Sequence, residues 1–194
     1  GTPLTEEQRQ RLEAQVARYE RESKLYDAVR LAHPTLLVTD SVVVTSGNRK
    51  IVVIHPGHAN TPGALMVYLP SEGIIAVGDM VTEPFPLMGW DSPTGWPAAL
   101  DNVLAREPTA VVPGHGEVLY SMEYVELFRD FFLSVTTQVQ ERIAAGRPLE
   151  DITEAVDLDR FWRAFAGEDD RMYQAMVARL EPRMVERTYG ELRR

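Results

Sequence analysis

Between residues 36 and 79 the chain carries four short runs dominated by Val, Ile and Leu, each closed by turn-forming residues: LLVTDSVVVTS, KIVVIHP, ALMVYLP and IIAVGD. β-Branched side chains lose little by sitting on a pleated surface, so runs of this length between turns read as strands. The SGNR string joining the first two offers Gly and Asn for a tight hairpin, and PSEG separates the last two. Strands this rich in Val and Ile demand a sheet with at least one well-buried face. A fifth run, TAVVP, follows near residue 110 and ends in GHG.

The flanks read as helices. Residues 5 to 32 place Leu12, Val16, Tyr19, Leu25 and Val29 at helical spacing behind Thr5, a long amphipathic helix with Ser23 as its candidate break. A short helix is expected over 98–105, and longer ones over 121–145, 157–166 and 169–189. FRDFFLSVTTQV presents its apolar residues at core spacing, and Met172, Tyr173, Met176, Val177 and Leu180 form an apolar face on the last helix, for the core or an interface. The order of helix, five strands with one intervening helix, and then helices is an α/β arrangement in which helices cover the sheet.

A chain of 194 residues with 44% apolar and 25% charged residues suits one globular domain, taken here as 1–194. The net charge of −9, with Lys and Arg scattered among acids, argues against nucleic acid as a partner. No apolar run approaches the roughly 18 residues of a membrane span, so no membrane partner is expected and the protein should be soluble, cytoplasmic or periplasmic. The chain has no cysteine, so a transition metal would have to be held by its four histidines together with Asp, Glu and Asn. A first residue of Gly in place of Met is expected of a tag remnant or of a chain that begins partway through a longer product.

Three polar strings sit where a strand ends beside glycine: GHAN, GD and PGHG. Side chains at neighbouring strand ends can converge on one point, which makes His58 or Asn60, Asp79 and His115 candidate metal ligands; turn and cap roles are the alternatives. His55 reads as a packed or hydrogen-bonded residue and His33 as a helix-end residue. The Pro- and Gly-broken loop MVTEPFPLMGWDSPTGWP suits the wall of a cleft. Within it Trp90 and Trp96, with Phe85, Leu87 and Met88, either line a substrate pocket or pack beneath the loop. Glu83, Asp91 and Glu117 are either general acids or bases or surface carboxylates.

TPGALMVYLPSEGIIAVGD, followed by GWPAALDNVLAREPTAVVPGHGEV, resembles the C-terminal half of the metallo-β-lactamase-fold hydrolases, closely over residues 36 to about 120. The resemblance implies half of an αββα sandwich. It also implies one or two divalent ions, usually zinc, and a metal-bound hydroxide that attacks an ester, amide or related bond of a small-molecule substrate. Asp79 matches the family's metal-binding aspartate, which is also central to catalysis, and His115 its last histidine ligand. Aligned from YLP, the family's GxxHTxGD falls on Gly57 to Ala64 and puts Asn60 in the place of a ligand histidine. An amide oxygen is a weaker zinc ligand than an imidazole nitrogen. Asn60 is then a weak ligand or a substrate-binding residue, and His58, two positions away, is a substitute ligand. The family's first metal motif, HxHxDH, does not occur in the chain. Two readings follow, a truncated or processed portion of a hydrolase and a non-catalytic binding module with an incomplete metal site. A single sheet of a two-sheet sandwich leaves an apolar face bare, so homo-oligomerisation or association with the missing N-terminal half is expected.

Overall fold

The computed structural model describes residues 4–27, 29–86 and 92–194. The chain divides into two units, residues 1–37 and 38–194. In the first, α1 (Glu6–Tyr26) starts at a capping box. The Gln8 amide donates to Thr5 Oγ1 at 3.2 Å and the Thr5 amide donates to Gln8 Oε1 at 2.9 Å. The helix runs unbroken through Ser23, because one serine lowers helix propensity by only about 0.5 kcal/mol and Arg18 pairs with Glu22 across that turn at 2.6 Å.

The second unit is built on five strands whose spatial order equals their sequence order: β1 (Ser41–Ser46), β2 (Arg49–Ile54), β3 (Met66–Leu69), β4 (Ile74–Thr82) and β5 (Ala110–His115). Neighbours are antiparallel from β1 to β4. β5 lies parallel to β4, reached by a crossover that contains α2 (Trp96–Leu104). The first hairpin closes between paired Ser46 and Arg49, with Gly47 at φ +60°, a value that glycine adopts without a Cβ clash.

Alternation along the strands sets the two faces. Met66, Ile75, Val77 and Val111 are at most 1% exposed and join the core with the helices. The intervening residues Val42, Val53, Val67, Ala76 and Val112 pair in turn across all five strands, forming one apolar row on the opposite face. Val67 in that row is 36% exposed.

Helices α3 (Glu123–Ala144), α4 (Leu149–Ala155), α5 (Asp159–Ala166), α6 (Asp170–Ala175) and α7 (Glu181–Leu192) complete the unit. Phe128, Phe131 and Phe132 of α3 are fully buried among Trp162 and Phe165, as the spacing of FRDFFLSVTTQV leads one to expect. Of the expected apolar face on the last helix, Met176 is buried, and Met172, Tyr173, Val177 and Leu180 pack against the core. The chain stays helical from Asp170 to Leu192, as expected, but not as a uniform α-helix: Pro182 has no N–H to donate four residues back, and the π-helical turn Met176–Leu180 accommodates it between α6 and α7. α4 was not foreseen; its seven residues are too few to show a period.

Candidate metal centre

Asp79 reaches the surface because β4 is irregular where it runs beside β5. Pairing proceeds from Ala76↔Val112 to Gly78↔Pro113 and then to Thr82↔His115, with a register shift in each interval. Such bulges re-aim side chains, and here Gly78, at φ +55°, turns Asp79 outward while Met80 and Val81 return to the core at 1% and 0% exposure. His115 is the last residue of β5. The topology thus sets a carboxylate and an imidazole at the C-terminal ends of adjacent parallel strands, a place where ligand sites form in α/β sheets.

Asp79 Oδ1 and His115 Nε2 lie 3.6 Å apart, with side-chain exposures of 45% and 56%. That is too long for a hydrogen bond. Two donors that each sit about 2.0–2.1 Å from a tetrahedral zinc ion are separated by about 3.4 Å, so the pair fits two vertices of one coordination shell. Glycines allow the approach. A Cβ at Gly114 would overlap Asp79 Oδ1 and come within 2.7 Å of the Asp79 amide nitrogen, and Gly116 turns at φ +103°. Among the described residues no group of three or more His, Cys, Asp or Glu side chains gathers to hold a metal ion. The donors present therefore fit part of a centre.

The structure brings Asp79 and His115 together, and among the described residues His58 does not join them in a group of three donors. Expecting His58 and Asn60 to face the same side assumes extended backbone. The segment instead bends, with Gly57 at φ +99°, His58 exposed, Ala59 fully buried and Asn60 half-buried. The same loop is braced by His55, whose Nε2 hydrogen-bonds the Pro62 carbonyl at 2.9 Å, the hydrogen-bonded role expected of it. His58 presents its carbonyl to Gly95, where a Cβ would collide with it.

Of the two roles open to Trp96, the structure shows packing. It is 1% exposed, its indole N–H donates to the Met80 carbonyl at 2.9 Å, and its ring stacks on Phe132 at 4.2 Å. Phe85 packs against the same core. Trp90, Leu87, Met88 and Asp91 lie outside the described residues.

Two supports of the site escaped sequence reasoning. Tyr124 of α3 donates its hydroxyl to the Thr82 carbonyl at 3.1 Å. Burial, and secondly the charge of Glu83, push its pKa up and keep that proton in place. Glu191 of α7 accepts from the Ser92 hydroxyl and, at 3.2 Å, from the Thr94 amide, fastening the segment that leads into α2. Both contacts join residues dozens of positions apart, and no local pattern in the chain announces them.

A family profile described as the metallo-beta-lactamase superfamily matches residues 11–115. Comparison with curated protein sequences finds no match. Among solved structures, the stereoselective inverting sec-alkylsulfatase Pisa1 from Pseudomonas sp. superposes with a TM-score of 0.62 at 16% identity, over 83% of this chain and 27% of that one. A double mutant of the PisA1 sec-alkyl sulfatase gives 0.56 at 15% identity, over 66% and 22%. A metallo-beta-lactamase from Pontibacter korlensis gives 0.46 at 20% identity, over 56% and 53%. The chain thus spans about a quarter of the length of the sulfatases it matches. At these identities the likeness is one of fold. The family match covers more than half of the chain and includes both strand ends that carry Asp79 and His115, and the chain belongs to the metallo-β-lactamase superfamily.

Proposed function

We propose that this chain is the C-terminal portion of a metal-dependent hydrolase and contributes Asp79 and His115 to a centre holding one or two zinc ions. The observation that carries this reading is the 3.6 Å approach of Asp79 Oδ1 to His115 Nε2 at the ends of two parallel strands. When bound, a divalent ion supplies Lewis acidity and a nucleophile at neutral pH by lowering the pKa of water. The residues of the chain orient that chemistry. Asp79 offers an anionic oxygen and His115 a neutral nitrogen, while Asn60 offers a neutral amide for a substrate polar group or a water.

The remaining ligands come from a second body, either the missing N-terminal half or another copy. The apolar row Val42, Val53, Val67, Ala76 and Val112 is the surface on which that body packs. The substrate class is a small molecule with an ester, amide or related bond. Sulfate esters belong in the first test because a sec-alkylsulfatase has this fold over most of the chain. Zinc-supplemented protein, in its self-associated form or together with the N-terminal half, is expected to hydrolyse at least one member of a panel of carboxylic ester, lactone, β-lactam, thioester, phosphoester and sulfate ester, with loss of turnover in both Asp79→Asn and His115→Ala. Turnover that survives both substitutions would refute the assignment.

A second reading, a binding module that keeps the fold without hydrolysis, is favoured by one observation: among the described residues the donors stop short of a group of three. It predicts no turnover on any panel member even when zinc is bound.

A further inference from the structure

The strand end that carries His115 is held by one acidic residue from the neighbouring strand's continuation. Glu83 follows directly on β4 and grips the His115 turn at two points. Its amide donates to the His115 carbonyl at 3.0 Å, and its carboxylate Oε2 accepts from the Glu117 amide at 2.9 Å. Gly116, between these two contacts, wraps around the Glu83 side chain. A Cβ there would overlap Oε2 and lie 2.7 Å from Glu83 Cβ and 2.8 Å from Cδ.

Glu83 is itself set on a fixed base. Thr82 is fully buried, its carbonyl receives the Tyr124 hydroxyl, and its own hydroxyl donates to the Phe85 carbonyl at 2.7 Å. A continuous path of packed and hydrogen-bonded groups therefore runs from α3 through Tyr124, Thr82 and Glu83 to the His115 turn. The carboxylate is engaged with an amide and does not join Asp79 and His115 as a third donor among the described residues. Its chemistry is that of an acceptor which orders a loop, and the bond is charge-assisted, stronger than a neutral one.

We infer that Glu83 is a positioning residue, a carboxylate clamp that holds His115 at its distance from Asp79 by binding the Glu117 amide. The inference rests on the reading of Asp79 and His115 as metal ligands, but the clamp can be tested with no metal present. Amide hydrogen exchange of the full chain by NMR reads the Glu117 N–H directly, and competition against a chromophoric chelator reads zinc affinity.

Three variants separate reach from charge. Glu83→Ala removes the acceptor, Glu83→Asp keeps the charge but falls one methylene short, and Glu83→Gln keeps both reach and an acceptor oxygen. Exchange at Glu117 is expected to quicken about tenfold or more in Glu83→Ala and Glu83→Asp, and by clearly less, about threefold, in Glu83→Gln, which keeps the reach and the acceptor but gives up the charge. Zinc affinity is expected to fall about 10–100-fold in the same two variants, with Glu83→Gln restoring most of it. If Glu83→Ala does not fold, the contrast between Asp and Gln carries the test alone. Unchanged Glu117 protection in Glu83→Asp, or equal losses in Asp and Gln, would overturn the clamp. A wild-type chain that binds no zinc, with Glu117 protected as expected, would overturn the metal reading and leave the clamp as a structural feature only.

Discussion

Replacing Gly114 by alanine tests the closeness of β4 and β5 at the candidate centre. The added Cβ would lie 2.7 Å from both the Asp79 amide nitrogen and the Gly78 carbonyl carbon, besides overlapping Asp79 Oδ1. The carboxylate oxygen can rotate away, but the other two atoms are backbone. Since ordinary contact begins at 3.4 Å, the strands must part by about 0.7 Å. Overpacking of this kind costs about 1–3 kcal/mol. For a chain of this size, a cost of about 2 kcal/mol lowers the melting temperature by about 4–8 °C. The same parting moves Asp79 relative to His115, so zinc affinity should fall as well. Gly190→Ala is the control. A Cβ at that site in α7 meets nothing within 4 Å, and the change should stabilise by about 0.5–1 kcal/mol. Differential scanning fluorimetry of the three proteins, followed by zinc competition, reads both effects. A Gly114→Ala protein that melts with wild type and binds zinc equally would refute the described packing of the two strands.

Other substitutions probe a partly buried carboxylate, the core and the open face of the sheet. Burial pushes the Glu181 carboxyl up, offset in part by the Trp162 indole N–H it accepts. An acid raised in the fold contributes most below the ordinary carboxylate range and loses that contribution as pH rises through its raised pKa. Glu181→Gln keeps the acceptor without the charge, so urea denaturation should show the variant gaining on wild type between about pH 4 and pH 7. No gain across that range would refute the buried-carboxylate account. Trp96→Phe leaves the Met80 carbonyl without its donor and opens space beside Phe132, for an expected loss of about 2–4 kcal/mol by chemical denaturation. A loss within the about 0.5 kcal/mol of a surface change would mean that Trp96 does not pack as described. Val67→Lys places a charge on the apolar row and should abolish association while leaving the fold within about 1 kcal/mol of wild type. Light scattering of the two proteins decides this, and identical masses would count against the row as a docking face.

Much of the fold follows from short-range signals in the chain. The five apolar runs became five strands, and SGNR closed its hairpin with glycine at positive φ. The motifs also carried the family, because strand ends such as GD and PGHG hold their position whatever the loops do. The failures have physical causes. Ser23 does not break α1, because one residue's propensity is small beside the cooperative ladder of the turns around it. Pro182 lies where an apolar period continues on both sides, and only backbone geometry shows the π-helical turn that accommodates it. Placing His58 on the same side as Asn60 rests on an alternation that the bend at Gly57 does not preserve. Trp96 could not be assigned between pocket and core, since an indole is apolar enough for either, and its partners Met80 and Phe132 are distant in sequence. The contacts of Tyr124 and Glu191 are likewise tertiary, written in no local spacing.

The central claim is that Asp79 and His115 are ligands of one metal ion. Isothermal titration of zinc into the full chain, compared with Asp79→Ala, His115→Ala and the double variant, tests it most directly. The account predicts saturable binding by wild type that weakens by more than about tenfold in each single variant, with the double variant no worse than the weaker single, since loss of either ligand already dismantles the shared shell. Zinc binding that is unchanged in the double variant, or absent in wild type, would contradict it.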